Sequence, residues 1–253
     1  VRRPRPTDRT LSRMPAWLPI PFLVACVIFL LRAETARPRD MRGVRLWKPA
    51  ATAMAIATAL LALPQARSVV YVVLVAIGLI ACLVGDVFLI DGERPEMFAR
   101  GLAAFLIGHL IFIGAFTAVQ QSNMSATTIE RELAVGAVLA VLVALLYLYM
   151  REGMGEMRGP VLVYMVVIAL MVHRAVAGLD LAQPLPSQGA LAAGGALLFL
   201  VSDAILALNR FVFPSDPIDQ AGPAAASSDG RDRVWVLTTY YAAIAMIAAS
   251  CAL

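Results

Sequence analysis

The stretch "LVGDVFLIDG" at residues 83–92 sets an aspartate, Asp86, into a run that is otherwise apolar from Val69 to Ile90. A second acid, Asp203, sits in the same way inside "GALLFLVSDAILALNRF" at 195–211. A charged side chain in hydrocarbon costs from about 2.5 kcal/mol upward, so such acids usually face a bundle interior and mark a site. The chemistry they could supply is acid–base chemistry. Burial favours a protonated carboxyl, and two neighbouring carboxyls resist ionising together, so a close pair can hold one proton at neutral pH. The chain has no G-x-S-x-G, H-E-x-x-H or G-x-x-x-x-G-K-[ST] motif and no paired histidines at ligand spacing. That lowers acyl-enzyme, zinc and nucleotide chemistry together, and no cofactor or metal is expected.

Helices crossing a membrane must position these acids. Of 253 residues, 60% are hydrophobic and 15% charged, and the mean hydropathy is +0.80. Apolar stretches alternate with short polar loops, as a hydrocarbon core about 30 Å thick requires. The pattern predicts an all-α polytopic membrane helix bundle of about eight spans, at 16–31, 49–64, 69–90, 98–119, 132–150, 160–178, 189–209 and 234–253. A basic tail (1–15) precedes this single transmembrane domain (16–253), and a Pro-, Ala-, Ser- and Asp-rich stretch at about 212–233 reads as a flexible loop. The N-terminus resembles a signal peptide in its basic start, but no A-x-A-like site follows, so a retained first helix is expected. Cys26, Cys82 and Cys251 all lie in apolar runs without C-x-x-C spacing and read as core-filling residues. No aromatic-interleaved basic patch points to nucleic acid.

With eight spans, both acids fall beneath one membrane face, Asp86 about 8 Å in from Asp91 and Asp203 about 10 Å in from Arg210. From that face span 4 brings His109 roughly 16 Å down, and span 8 brings Tyr240 and Tyr241 about 10 Å down. Lys48 is expected where span 2 begins at the same surface. Five spans thus place polar groups in one half of the bilayer, which scattered tolerated residues would not do. Each has a blander use: helix-to-helix hydrogen bonding for the acids, close packing for His109, an interfacial belt for the tyrosines, snorkelling for Lys48. Asn209, about 240° around the helix from Asp203, either adds a polar contact or caps the span. His173 and Arg174 end span 6 at the opposite face, where an interfacial anchor is expected.

Thirteen of the 21 Lys and Arg residues lie in the odd-numbered loops, which leans those loops towards the cytoplasm. The five arginines of the tail argue the other way. The sequence also echoes itself: "WKPA" then "GDVFL" in spans 2 and 3, "RGPV" then "SDAIL" in spans 6 and 7. An offset of four spans preserves direction, so the echo points to a parallel four-plus-four repeat that relates the two aspartates by a pseudo-twofold axis.

These segments resemble the YhhN family, the lysoplasmalogenase-like membrane proteins. The resemblance rests on "KPA" (48–50), "GDVFL" (85–89), "FARGLAAFLIGHLIFI" (98–113), "VYMVVIALM" (163–171), "GALLFLVSDAILALNRF" (195–211) and "TTYY" (238–241), and covers the chain from about residue 45. Where the family often carries a glutamine after the tyrosines, this chain has Ile244. The resemblance implies a hydrolase of the cell membrane that cleaves the vinyl ether of lysoplasmalogens into a fatty aldehyde and a glycerophospho-headgroup. Asp86 and Asp203 would be the acid–base pair and His109 would orient or relay water. Tyr164, Tyr240, Tyr241 and Asn209 would contact substrate, with Lys48 at the lipid phosphate. A lysophospholipid and the surrounding membrane lipids are the partners this implies; the oligomeric state is not specified. A proton-coupled transporter or a structural subunit would use the same buried acids differently; the transporter would call for helices broken at mid-membrane.

Overall fold

The computed structural model describes residues 15–119, 126–179, 186–213 and 225–253. Nearly all of the basic tail and residues 214–224 of the expected loop lie outside them. Eight helices follow in order: α1 (Ile20–Thr35), α2 (Met41–Leu61), α3 (Val69–Phe88), α4 (Pro95–Ala118), α5 (Ala126–Met150), α6 (Arg158–Ala177), α7 (Gln188–Phe211) and α8 (Ala225–Ser250). The described residues contain no strand. Helices α2 to α8 are long and apolar enough to cross a membrane, whereas α1 has only 16 residues. Short polar side chains start several of them: Asp40 caps α2, Ser68 caps α3 and Ser187 caps α7, each accepting from backbone N–H groups of the first turn.

The start of α2 corrects the expected position of Lys48. The apolar run begins near Pro49, but the helix begins eight residues before that proline, at Met41, because Asp40 accepts from the N–H groups of Arg42 and Gly43 at 3.1 Å. Lys48 therefore lies about two turns inside the helix and is buried. Similarly α8 begins at Ala225, so the last part of the 212–233 stretch is helical.

Helices α3 and α4 run antiparallel and interlock through residues spaced by seven. A methyl group on Gly78 would lie 2.5 Å from the Phe112 ring, and one on Gly85 would lie 2.6 Å from the Phe105 ring. Gly108 in turn faces the carbonyl of Gly78. Small residues opposite large rings let two backbones approach, the packing that serves in a membrane where hydrophobic burial drives little. Gly195 does the same between α7 and α8, where its missing methyl would lie 2.8 Å from the Ala243 carbonyl.

Several neighbour relations recur at an offset of four. Helix α3 packs on α2 and α4, and α7 packs on α6 and α8; α4 packs on α6, and α8 on α2. A parallel four-plus-four arrangement would give these pairs, whereas the packing of α1 on α8 has no comparable counterpart of α5 on α4 among the described residues. Helix α5 is the most exposed of the candidate spans, 11% buried against 33–44% for the others. It is held to α6 at one end, where Arg131 donates to the carbonyls of Ala177 and Leu179, and Arg174 pairs with Glu132 at 3.2 Å. His173 Nε2 lies 3.0 Å from the Glu132 carbonyl in the same cluster.

Candidate active site

Asp86, near the end of α3, is gripped from α2 and α8. Thr52 Oγ1 donates to its Oδ2 at 2.5 Å, Tyr240 OH donates to the same oxygen at 2.7 Å, and Lys48 Nζ lies 3.9 Å from Oδ1. Thr52 is one turn beyond Lys48 on α2, so both face α3. Asp203, about two turns before the end of α7, is held from α6 and α4. Tyr164 OH donates to its Oδ2, and His109 Nε2 lies 3.9 Å from that oxygen. Ser202 fixes the preceding turn by donating to the Val236 carbonyl of α8 at 3.0 Å. The side chain of Asp203 is 14% exposed and that of Asp86 2%.

Both carboxyls border one cavity of about 280 Å³, together with Lys48, Tyr240 and Asn209. Towards the loops after α1, α3 and α7 its wall becomes charged, with Glu34, Arg39, Glu93, Arg210, Asp232 and Arg233. Glu34 is buried here, taking two bonds from Arg39 at 2.7 and 2.9 Å and lying 3.6 Å from Arg233 Nε. A second, smaller pocket of about 60 Å³ lies between α4, α5, α6 and α7, and its walls are apolar except at Tyr164 and Asp203. Asp203, Phe105, Phe98, Leu89 and Leu206 border both spaces.

The other expected residues divide. His109 is fully buried and borders neither space; its ring lies edge-on to Phe199 and Tyr164, and neither nitrogen has a hydrogen-bond partner. Its Nε2 lies 3.9 Å from Asp203 Oδ2. Tyr241 also borders neither space: its hydroxyl donates to the Lys48 carbonyl at 2.9 Å and ties α8 to α2. Ile244 is buried in the apolar core, away from both. No group of three or more His, Cys, Asp or Glu side chains among the described residues could hold a metal ion.

The sequence reading missed Thr52 and the charged mouth. The spacing of four between Lys48 and Thr52 was the available signal for the first. Glu34 and Arg39 carried none, since charges beside a span ordinarily read as solvated.

A multi-pass helical membrane protein with two carboxyls on one internal chamber, Asp86 buried and Asp203 partly exposed, is the class that this fold and site define. Residues 44–251 match the YhhN family, and the chain belongs to it. It is 33% identical over 175 residues to "Lysoplasmalogenase TMEM86A" of Homo sapiens, covering 69% of this chain and 63% of that one. To "Lysoplasmalogenase TMEM86B" of Mus musculus it is 28% identical over 239 residues, 90% of this chain and 82% of that one. The chain thus spans just under two thirds of the length of the human TMEM86A protein. No solved structure matches it.

Proposed function

We propose that the protein is a membrane hydrolase that cleaves the vinyl ether bond of lysoplasmalogens, with Asp203 as the acid and Asp86 as the base. The observation that carries this reading is that both carboxyls border one water-accessible cavity while Asp203 alone also borders the apolar pocket. The names of the relatives supply the substrate.

The partners of each carboxyl assign the roles. Asp86 accepts two hydroxyl donors and faces an ammonium, a set that stabilises a carboxylate. Asp203 accepts one hydroxyl on Oδ2 and has an imidazole at 3.9 Å where Asp86 has an ammonium, so Asp203 is the carboxyl that carries the proton in this reading. The proton moves from Asp203 to the β-carbon of the vinyl ether, the π electrons forming the new C–H bond and leaving an oxocarbenium ion. Water adds to that cation and gives its proton to Asp86. The hemiacetal then breaks its bond to the glycerol oxygen as its hydroxyl proton passes through water to that oxygen, releasing aldehyde and alcohol, and the proton on Asp86 returns to Asp203 through water. One water is consumed and both carboxyls are restored. A general acid of this kind contributes about 10²–10⁴-fold to the rate.

In this pose the alkenyl chain lies in the apolar pocket behind the weakly packed α5, and the phosphate headgroup lies at the mouth among Arg39, Arg210 and Arg233. The mouth opens at the odd-numbered loops, the set that the excess of Lys and Arg leans towards the cytoplasm and the tail arginines lean away from it, and the cell membrane is the expected location.

The test is aldehyde release by purified protein from a lysoplasmalogen and from its saturated ether analogue, run in D₂O. Cleavage of the vinyl ether alone, with one deuterium at C2 of the aldehyde, is expected. Equal cleavage of the saturated ether, or aldehyde without deuterium, would contradict protonation at carbon.

A further inference from the structure

We propose that Phe105 is a catalytic residue whose aromatic face stabilises the oxocarbenium ion formed in the reaction proposed above. The inference deepens that reading and rests on it. Phe105 is one of the few side chains that border both the polar cavity and the apolar pocket, as Asp203 does. The bond to be cleaved must lie at this junction, because it joins the chain to the headgroup.

The depth of the ring fits the same place. Phe105 follows Phe98 by seven residues on α4, so it sits on the same face about 10 Å further in. Its ring is seated on Gly85, the residue before Asp86, where a methyl group would lie 2.6 Å from Cε2 and 2.7 Å from Cδ2. Edge-on contacts with Phe199 and Tyr240, at centroid separations of 6.1 and 5.8 Å, hold its orientation. Tyr240 is one of the two hydroxyl donors to Asp86. The ring is therefore fixed against the turn of α3 that carries Asp86, and it borders both spaces as Asp203 does.

An aromatic face carries partial negative charge and attracts a cation more strongly when water is excluded. The ground-state vinyl ether is neutral and the transition state is cationic, so this attraction grows as the reaction proceeds and raises kcat rather than tightening binding. Phe98 makes a contact of the same type nearer the mouth, with the Arg210 guanidinium 4.9 Å from its centroid. A leucine at position 105 would keep the packing apolar but would lack the charge distribution.

The test is to replace Phe105 in the full chain by 4-fluoro-, 3,5-difluoro- and 3,4,5-trifluorophenylalanine, which preserve shape while draining charge from the ring face. The readout is kcat and KM for aldehyde release from a lysoplasmalogen in detergent micelles. The expected result is a stepwise fall in kcat with each added fluorine, reaching about tenfold across the series, with KM nearly constant. A kcat that stays flat while the wild type is active would overturn the role of Phe105 and leave the hydrolase reading standing. Absence of aldehyde from the wild type itself would overturn both.

Discussion

The Tyr240 hydroxyl, on the last helix, donates to Asp86 Oδ2 at 2.7 Å, and Thr52 donates to that same oxygen from α2. Asp203 is held in a corresponding way from α6 and α4, by Tyr164 and beside His109. Each carboxyl is thus clasped by the helix that precedes its own and by a helix from the other half of the chain, α8 for Asp86 and α4 for Asp203. The clasps differ in chemistry: one supplies a cation and two hydroxyls, the other one hydroxyl and an imidazole. Two similar helix groups with unlike partners can divide acid and base roles between two residues of the same type.

If the donors to Asp86 define the base, Tyr240→Phe should lower kcat by about 10–100-fold while leaving the fold intact, because one hydrogen bond to a charged group is worth roughly 1.5–3 kcal/mol. The ring contacts with Phe105 and Phe199 would remain. Steady-state kinetics alongside a melting curve would check it; unchanged kcat would separate Tyr240 from the chemistry.

Lys48 lies 3.9 Å from Asp86 and is the nearest cation to it. Lys48→Met should lower stability by about 1–3 kcal/mol, less than the roughly 3–5 kcal/mol of a tightly bonded buried pair, because Thr52 and Tyr240 still satisfy the carboxylate. Activity should fall further than stability does. Thermal unfolding in detergent, compared with aldehyde release at a temperature where both proteins are folded, distinguishes the two effects.

Gly195 permits the contact of α7 with α8 that places Ser202 on the Val236 carbonyl and sets Asp203 on the same cavity as Tyr240. In Gly195→Ala the new methyl would meet the Ala243 carbonyl at 2.8 Å and Ile247 Cγ1 at 2.7 Å, and a backbone cannot turn aside as a side chain can. The helices must separate, at a cost of about 1–3 kcal/mol. A melting temperature several degrees lower is expected, on a scale of about 2–4 °C per kcal/mol for a chain of this size. A change confined to activity would show that the interface adjusts freely.

Much of this was legible in the sequence, for identifiable reasons. Hydropathy located the helices, since only long apolar runs can span, and two aspartates within such runs stand out against a large energetic cost. The placement of Lys48 was not legible, because the polar first turns of α2 look like a loop until Asp40 is seen to cap them. Nor could spacing reveal that Asp86 and Asp203, 117 residues apart in the chain, border one cavity. That depends on how α3, α4, α7 and α8 pack. Tyr240 and Tyr241 look equivalent in the chain, yet adjacent residues on a helix point about 100° apart, so one meets the carboxyl and the other braces α2.

The paired carboxyls are tested most directly by aldehyde release from a lysoplasmalogen by the wild type, Asp86→Asn and Asp203→Asn at equal folded concentrations. Each substitution keeps the side-chain size but removes an ionisable proton site, and each should reduce kcat by about 10²–10⁴-fold. Robust turnover by either variant would contradict a mechanism that needs both carboxyls.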